Sequence, residues 1–388
     1  MRWKWLLFTL LCVMVVGPTF AQDENNIVQQ IINRDQLRCG VNGQLLGFSV
    51  PDPNQDGNYV GFDADLCRAI ATAILGDPTK VTFIPVAAAD RKSALAMDCP
   101  NDICVDLLAT NATYTIGRQQ EWDAIFAPTT FYDSQDIMVL DESGIRSLED
   151  LRGGRICVRD ATTSQTKIES IKDLYGFEVK VISGAFSNAW FAFVRSECTA
   201  ITSDRSQLLG FRGWSQLLLD SPDDPRISAD IRDQANDWWY IPPASNLRLL
   251  NVLDEEGLPL SQEPLGVVSP KRDPRLADII RWTILGLFYA EYVGVSQQQL
   301  LENECNFNGS FVTDESRRQQ AIALFTGSNF PPSLDQEPDF MASVVCAVGN
   351  YADLYERHFG IGSALSLPRE NTFNRLWTQG GLLYAPPF

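Results

Sequence analysis

Apolar positions near the start of the chain recur with two different periods. Leu37-Arg38-Cys39-Gly40-Val41 is an apolar run of strand length, and Tyr59-Val60-Gly61-Phe62-Asp63 leads into a stretch where Leu66, Ile70 and Ile74 return at helical spacing. Asp63 and Asp65 stand at the start of that stretch, where negative charge suits the helix dipole. Val81 to Val86 is rich in β-branched residues and predicts a strand, Ala87 to Met97 a helix, and Val105 to Ala109 a further strand. Strands alternating with helices predict a mostly parallel sheet.

The pattern changes at Phe131, where Phe131 to Leu140 reads as one long extended segment. Ser147-Leu148-Glu149-Asp150 then offers a capping-box start, with Asp150 where Glu or Gln is usual, for a helix stopped by Gly153-Gly154. Ile156 to Val158 predicts a strand, Thr163 to Leu174 a helix, Glu178 to Ile182 a strand and Ala189 to Arg195 a helix, so the α/β module starts again. Pro264 to Val268 is another extended segment, and helical patterning dominates after it. Trp282, Leu285, Phe288 and Leu324 fall in amphipathic stretches and read as core. The apolar, proline-containing end from Leu382 to Phe388 is expected to dock.

The first residues add a compartment. Arg2 and Lys4, an apolar stretch from Leu6 to Val16 too short to span a bilayer comfortably, and Thr19-Phe20-Ala21 before a cleavage point predict a secretory signal peptide over 1–21. Cys12 lies inside the apolar stretch without a suitable small residue before it and does not read as a lipid attachment site. Cys39, Cys67, Cys99, Cys104, Cys157, Cys198, Cys305 and Cys346 remain, an even set suited to four disulfides in an oxidising space. Their grouping suggests that each joins its neighbour: Cys39 with Cys67, Cys99 with Cys104, Cys157 with Cys198, and Cys305 with Cys346. Buried free thiols are the alternative.

The formal net charge is −18 over 388 residues, and losing Arg2 and Lys4 makes it two units more negative. An acidic surface argues against nucleic acid or anionic lipid as partners. The only histidine is His358, so a multi-histidine zinc site is excluded and a catalytic dyad has one imidazole to draw on. Its setting in Tyr355-Glu356-Arg357-His358-Phe359 reads as structural. No CxxC, GxSxG, Walker-A or GxGxxG pattern occurs, and neither a metal nor a cofactor is expected.

Leu37 to Asn42, Gly61 to Ala69, Asn111-Ala112-Thr113-Tyr114-Thr115-Ile116-Gly117-Arg118, Ile156 to Val158, Glu263 to Gly266, Arg281 to Thr283, Val348 to Tyr351 and Gly380 to Pro387 occur in an order that resembles the periplasmic solute-binding proteins of polar amino-acid ABC transporters, within them the general L-amino-acid binders. The resemblance implies the two-lobed α/β fold of type 2 periplasmic binding proteins, each lobe a mostly parallel sheet flanked by helices. One lobe would be 26–131 with 269–388. The second would be 132–268, including two hinge strands near Tyr132 and Leu265 and an insert near 221–258. In that insert Trp238 and Trp239 line the cleft mouth, contact the transporter or pack the loop, the last reading being favoured.

The ligand set follows from the same resemblance. Arg118 matches the arginine that holds the α-carboxylate, a task its planar fork suits; a surface pairing with Glu121 and Asp123 is the alternative. Asp204 matches the acid that meets the α-ammonium; a helix N-cap after a strand is the alternative, and the two roles are compatible. Thr162 and Thr163 match two hydroxyl positions at a strand-to-helix turn, and Asn111 and Thr113 first-lobe contacts to the ligand backbone. Arg159-Asp160-Ala161 departs from the apolar or amide residues and glycine usual before Thr162, which bears on side-chain preference. Leu45, Leu46 and Phe48 are further candidates to face the ligand.

These readings imply a monomeric, non-enzymatic periplasmic protein that captures free L-amino acids, broad in preference or polar to charged, and hands them to inner-membrane ABC permease subunits. It would contact no nucleic acid and insert in no membrane after cleavage. The rival is a secreted cyclohexadienyl or arogenate dehydratase on the same fold, which needs an acid at the leaving hydroxyl. A detached sensory module is disfavoured by the leader and the lack of an output domain.

Overall fold

The computed structural model describes residues 26–99, 103–238, 240–253, 257–327, 337 and 339–388; the expected leader and Trp239 lie outside them. The chain opens with α1 (Ile27–Arg34), started by the Asn26 side chain accepting from the Gln29 N–H, and continues into β1 (Leu37–Val41). An antiparallel pair, β2 (Val50–Pro51) and β3 (Tyr59–Val60), precedes α2 (Phe62–Leu75) and β4 (Val81–Pro85). α2 buries Leu66, Cys67 and Ile70 on the predicted face and stops at Gly76, whose φ of 68° releases the chain from the helix.

Two expected helices are much shorter. Ala87 to Met97 yields a 3-10 turn, Ala88–Asp90, and only one helical turn, α3 (Arg91–Ala94), because the Ala94 carbonyl accepts from the Val105 N–H at 3.1 Å. β5 (Leu107–Thr113), α4 (Ile116–Glu121), β6 (Ala124–Phe126) and the long β7 (Phe131–Leu140) follow. The expected helix at Ser147 is a 3-10 turn, Glu149–Leu151. Asp150 turns its carboxylate back to the N–H groups of Arg146 and Ser147, at 2.9 and 3.0 Å, and too few residues remain before Gly153 to add a turn.

The second module comprises β8 (Arg155–Arg159), α5 (Thr163–Tyr175), β9 (Glu178–Ile182), α6 (Phe186–Val194), β10 (Ala200–Asp204) and α7 (Arg205–Asp220). α8 (Ala229–Asn236) and β11 (Leu247–Leu249) lie in the expected insert, and β11 extends the sheet on β7. After β12 (Gln262–Pro270) come α9 (Pro274–Val293), α10 (Gln297–Leu301), α11 (Glu315–Thr326), α12 (Phe340–Val348) and α13 (Tyr351–His358).

The strands run in the order β4-β1-β5-β12-β7-β10-β8-β9. β4, β1 and β5 are parallel to one another, as are β10, β8 and β9. Between the two sets lie β12 and β7, antiparallel to each other with Leu265 opposite Phe131. The two long extended segments of the sequence thus connect the halves of a two-lobed α/β protein. β7 is anchored by apolar contact: Phe131 packs edge-on to Phe48 and stacks with Tyr355, their ring centres 6.1 Å apart. Burial of such rings is worth roughly 2–3 kcal/mol each.

All four neighbour-to-neighbour disulfides form, with Cα separations of 6.1 Å (Cys39–Cys67), 5.4 Å (Cys99–Cys104), 5.6 Å (Cys157–Cys198) and 5.5 Å (Cys305–Cys346). His358 is structural: its Nε2 lies 2.7 Å from Asp65, which also takes Arg357 and Arg68. Burial alone would raise the Asp65 carboxyl, but these three partners hold it below its ordinary value. The tail docks, with Phe388 against Trp282 and Tyr289. Leu285, Phe288 and Leu324 are buried, and Trp282 packs partly buried against the same core.

Candidate functional site

The carboxyl ends of β5, β8 and β10 converge where β12 passes between the two parallel sets. At the end of β5, Thr113 donates its hydroxyl to Glu263 Oε2 at 2.6 Å. From α5, Thr163 donates to the same oxygen at 2.9 Å, and the two threonine oxygens are 3.4 Å apart. Ser261 donates to the other Glu263 oxygen at 2.5 Å. Glu263 is buried on β12 and collects three hydroxyls from three parts of the chain. Sequence reasoning noted its stretch without assigning it a role.

Arg118 is positioned by the start of α4. Thr115 caps that helix by accepting from the Arg118 N–H, and the guanidinium then reaches back to the Thr113 carbonyl at 3.1 Å and across to the Ala161 carbonyl at 3.4 Å. Trp122 lies beneath it, 5.3 Å from its centre. No ion pair with Glu121 or Asp123 occurs among the described residues; Glu121 pairs instead with Lys92. Burial lowers the Arg118 pKa, and Asp204 and Glu263 oppose the shift.

Asp204 occupies the N-cap position of α7 but does not cap it. Its carboxylate instead accepts from Gln207 Nε2 at 2.8 Å and Ser164 Oγ at 3.3 Å, inside the site. Burial, then the neighbouring charges of Glu263 and Asp133, push its pKa well above the ordinary carboxylate value, against Arg118 and Arg159. Burial likewise raises Asp133, to about 6.

Thr162 is committed to structure: it caps α5 by accepting from the Gln165 N–H and donates to the Arg159 carbonyl at 2.8 Å. Asn111 holds a left-handed φ of 46°, with its N–H donating to Asp63 at 2.9 Å and its side-chain oxygen accepting from Asn42 at 3.3 Å. Asp63 is raised to about 7 by burial, against the Asn111 N–H and the charge of Arg91. Arg91 is a further buried cation of this site that sequence reasoning did not single out; it donates to the Thr110 carbonyl at 2.7 Å. The structure brings Arg118, Asp204, Thr113 and Thr163 together around Glu263.

Leu45, Leu46 and Phe48 are buried. Phe48 joins the ring cluster beside β7, and Leu45 and Leu46 press on α7 where Gly210 and Gly213 leave room. Beside them Gln44 donates to Asp230 of α8 at 2.7 Å, so the insert holds the turn near Asn42. Trp238 packs near Arg195, 5.9 Å from its guanidinium.

Residues 37–324 match the family described as bacterial extracellular solute-binding proteins, family 3. The general L-amino acid-binding periplasmic protein AapJ of Rhizobium johnstonii is 31% identical over 376 residues, covering 97% of this chain and 96% of its own. The glutamate/glutamine/aspartate/asparagine-binding protein BztA of Rhodobacter capsulatus is 31% identical over 381 residues, covering 97% and 96%. Among solved structures, an ABC transporter periplasmic binding protein from Brucella ovis with glutathione bound superposes with a TM-score of 0.74 at 29% identity, covering 93% of this chain and 98% of its own. These relatives are named as binding proteins, which favours the binding reading over the dehydratase. With the matched residues spanning both parallel sets and the strands between them, the chain belongs to the family 3 bacterial extracellular solute-binding proteins.

Proposed function

We propose that this protein captures a free L-amino acid between its lobes and presents it to the permease of an ABC transporter. The observation that carries this reading is the placement of half-buried Arg118 and buried Asp204 on the two sides of the Thr113–Glu263–Thr163 cluster, a cation and an acid from the two parallel sets, each within reach of the other's charge. A zwitterion in a dry cleft must have both ends matched, or one charge is left uncompensated at high cost. Arg118 takes the α-carboxylate with its planar fork, and Asp204 takes the α-ammonium. Thr113 and Thr163 turn their hydroxyls from Glu263 toward the carboxylate, Asn111 meets the ligand backbone, and Thr162 fixes the α5 turn beneath it. The names of AapJ and BztA support the ligand class.

One lobe is 26–131 with 269–388 and the other is 132–268, with β7 and β12 as the hinge. Ligand binds the closed arrangement better and shifts the population toward it. Export through the leader at 1–21 into the periplasm fits four disulfides, and no helix among the described residues is long and apolar enough to cross a membrane. The protein acts as a monomer. Small-angle scattering of the refolded, ligand-stripped protein tests the reading. A mixture of L-amino acids contracts the radius of gyration of a monomer; no contraction, with no bound amino acid recovered after denaturation, rejects it.

A further inference from the structure

The cleft holds more buried positive charge than one zwitterion requires. Arg118 answers the α-carboxylate, but Arg91 donates to the Thr110 carbonyl of β5 and Arg159 ends β8 at the turn whose Ala161 carbonyl takes Arg118, and the two are 3% and 7% exposed. Arg91 uses Nη2 on the Thr110 carbonyl, while its Nε is buried with no hydrogen-bond partner. Arg159 rests its guanidinium 4.9 Å from the centre of the Phe186 ring. None of the three arginines forms an ion pair among the described residues. Burial first, then Arg159 and Arg118, press the basicity of Arg91 well down, and burial brings Arg159 to about 10.

Among the described residues no nearby carboxylate forms an ion pair with this set, although Asp63 and Asp204 favour the charge of Arg91, and Asp204 and Asp160 that of Arg159, from a distance. Asp63 is occupied by the Asn111 N–H, Asp204 by Gln207 and Ser164, and Glu263 by Thr113, Thr163 and Ser261. Buried charges that lack an ion pair are costly to folding, and a stacked, desolvated guanidinium is suited to binding a carboxylate.

We propose that Arg91 and Arg159 form a second anion subsite beside Arg118, so that the preferred ligand is an L-α-amino acid bearing at least one further carboxylate on its side chain. This rests on the reading that Arg118 and Asp204 hold the α-groups. A neutral side chain leaves both guanidiniums desolvated and unpaired, whereas a second carboxylate matches them with charge-assisted hydrogen bonds. The Phe186 ring keeps Arg159 in place for this without spending its donors on a protein carboxylate.

The test is calorimetric titration of ligand-stripped protein with L-glutamate and L-glutamine, which are nearly the same size and differ in side-chain charge. Glutamate is expected to bind at least tenfold more tightly, and Arg159→Met and Arg91→Met are each expected to shrink that ratio at least threefold. Melting of the unliganded Arg91→Met variant adds a readout that a structural role does not share. Removing an unpaired buried charge leaves the melting temperature unchanged or higher, whereas loss of a scaffold residue lowers it. A glutamate preference below tenfold, a ratio unmoved in both variants, or a lowered melting temperature for Arg91→Met overturns the second subsite while the amino-acid-binding function stands. Failure of both ligands, and of every other L-amino acid, to bind overturns that function as well.

Discussion

The guanidinium of Arg118 donates to the carbonyl oxygen of Ala161, which presents it from a backbone φ of 53°. That left-handed conformation costs a residue with a Cβ about 1 kcal/mol relative to glycine. Ala161 lies in the turn between β8 and α5, where the resemblance placed a glycine. Ala161→Gly is therefore expected to raise the unfolding free energy by about 1 kcal/mol in urea titration without changing its denaturant dependence. A loss of stability would mean that the turn gains more from the methyl group than the backbone loses.

What the sequence revealed and what it hid divide along a physical line. Period and turn chemistry are local, so β1, β8, β9, α5 and the two long strands could be read from neighbouring residues. So could the disulfides, whose partners follow one another along the chain. Burial of charge is not local. Glu263 meets Thr113 across 150 positions, and Arg91 and Arg159 converge only after the sheet is assembled. The contact of Leu45 and Leu46 with α7 could not be read either, because the glycines that receive them are remote in sequence. The Ser147 helix failed for the opposite reason: its start signal was real, but Asp150 completed a turn rather than a helix.

Asp63 gives the protein a pH dependence of definite sign. Its folded value of about 7 lies above its ordinary 3.8, so between these values the native state holds a proton that the unfolded chain releases. The contribution of Asp63 to stability therefore declines as pH rises from about 4 to about 7. Asp63→Asn keeps an oxygen for the Asn111 N–H and removes the titration. Its melting temperature relative to the parent is expected to improve steadily across that range, and a constant difference would place the Asp63 charge elsewhere.

Asp204 links binding to proton release. Its carboxyl is raised when the site is empty of an ammonium partner, so at pH below that raised value it must ionise to pair with one, and ligand binding there expels a proton. Affinity is expected to rise with pH below the raised Asp204 value. Apparent binding enthalpy will differ between phosphate and Tris buffers in proportion to their ionisation enthalpies. Asp204→Asn should weaken binding at least tenfold and abolish the buffer difference; identical enthalpies in both buffers for the parent would contradict the assignment.

The disulfide Cys305–Cys346 closes a sequence separation of 41 residues around α11 and α12. Chain-entropy reasoning gives such a link about 4 kcal/mol. The double variant Cys305→Ser/Cys346→Ser is expected to lose about that much in chemical denaturation while retaining ligand affinity, since α12, which carries Cys346, packs on α2, α9, α10 and α11 and, among the described residues, not on the elements that hold Arg118 and Asp204. A drop in affinity would couple the carboxyl-terminal helices to the cleft.

The most direct measurement of the central claim is a thermal-shift screen of refolded, ligand-stripped protein against the twenty L-amino acids, repeated with Arg118→Ala. Ligand that prefers the folded state adds about 2.7 kcal/mol of stability at one hundred times its dissociation constant. The account predicts an upward shift with at least one amino acid in the parent and none in Arg118→Ala. Absence of any shift in the parent, or shifts that survive the loss of Arg118, would contradict it.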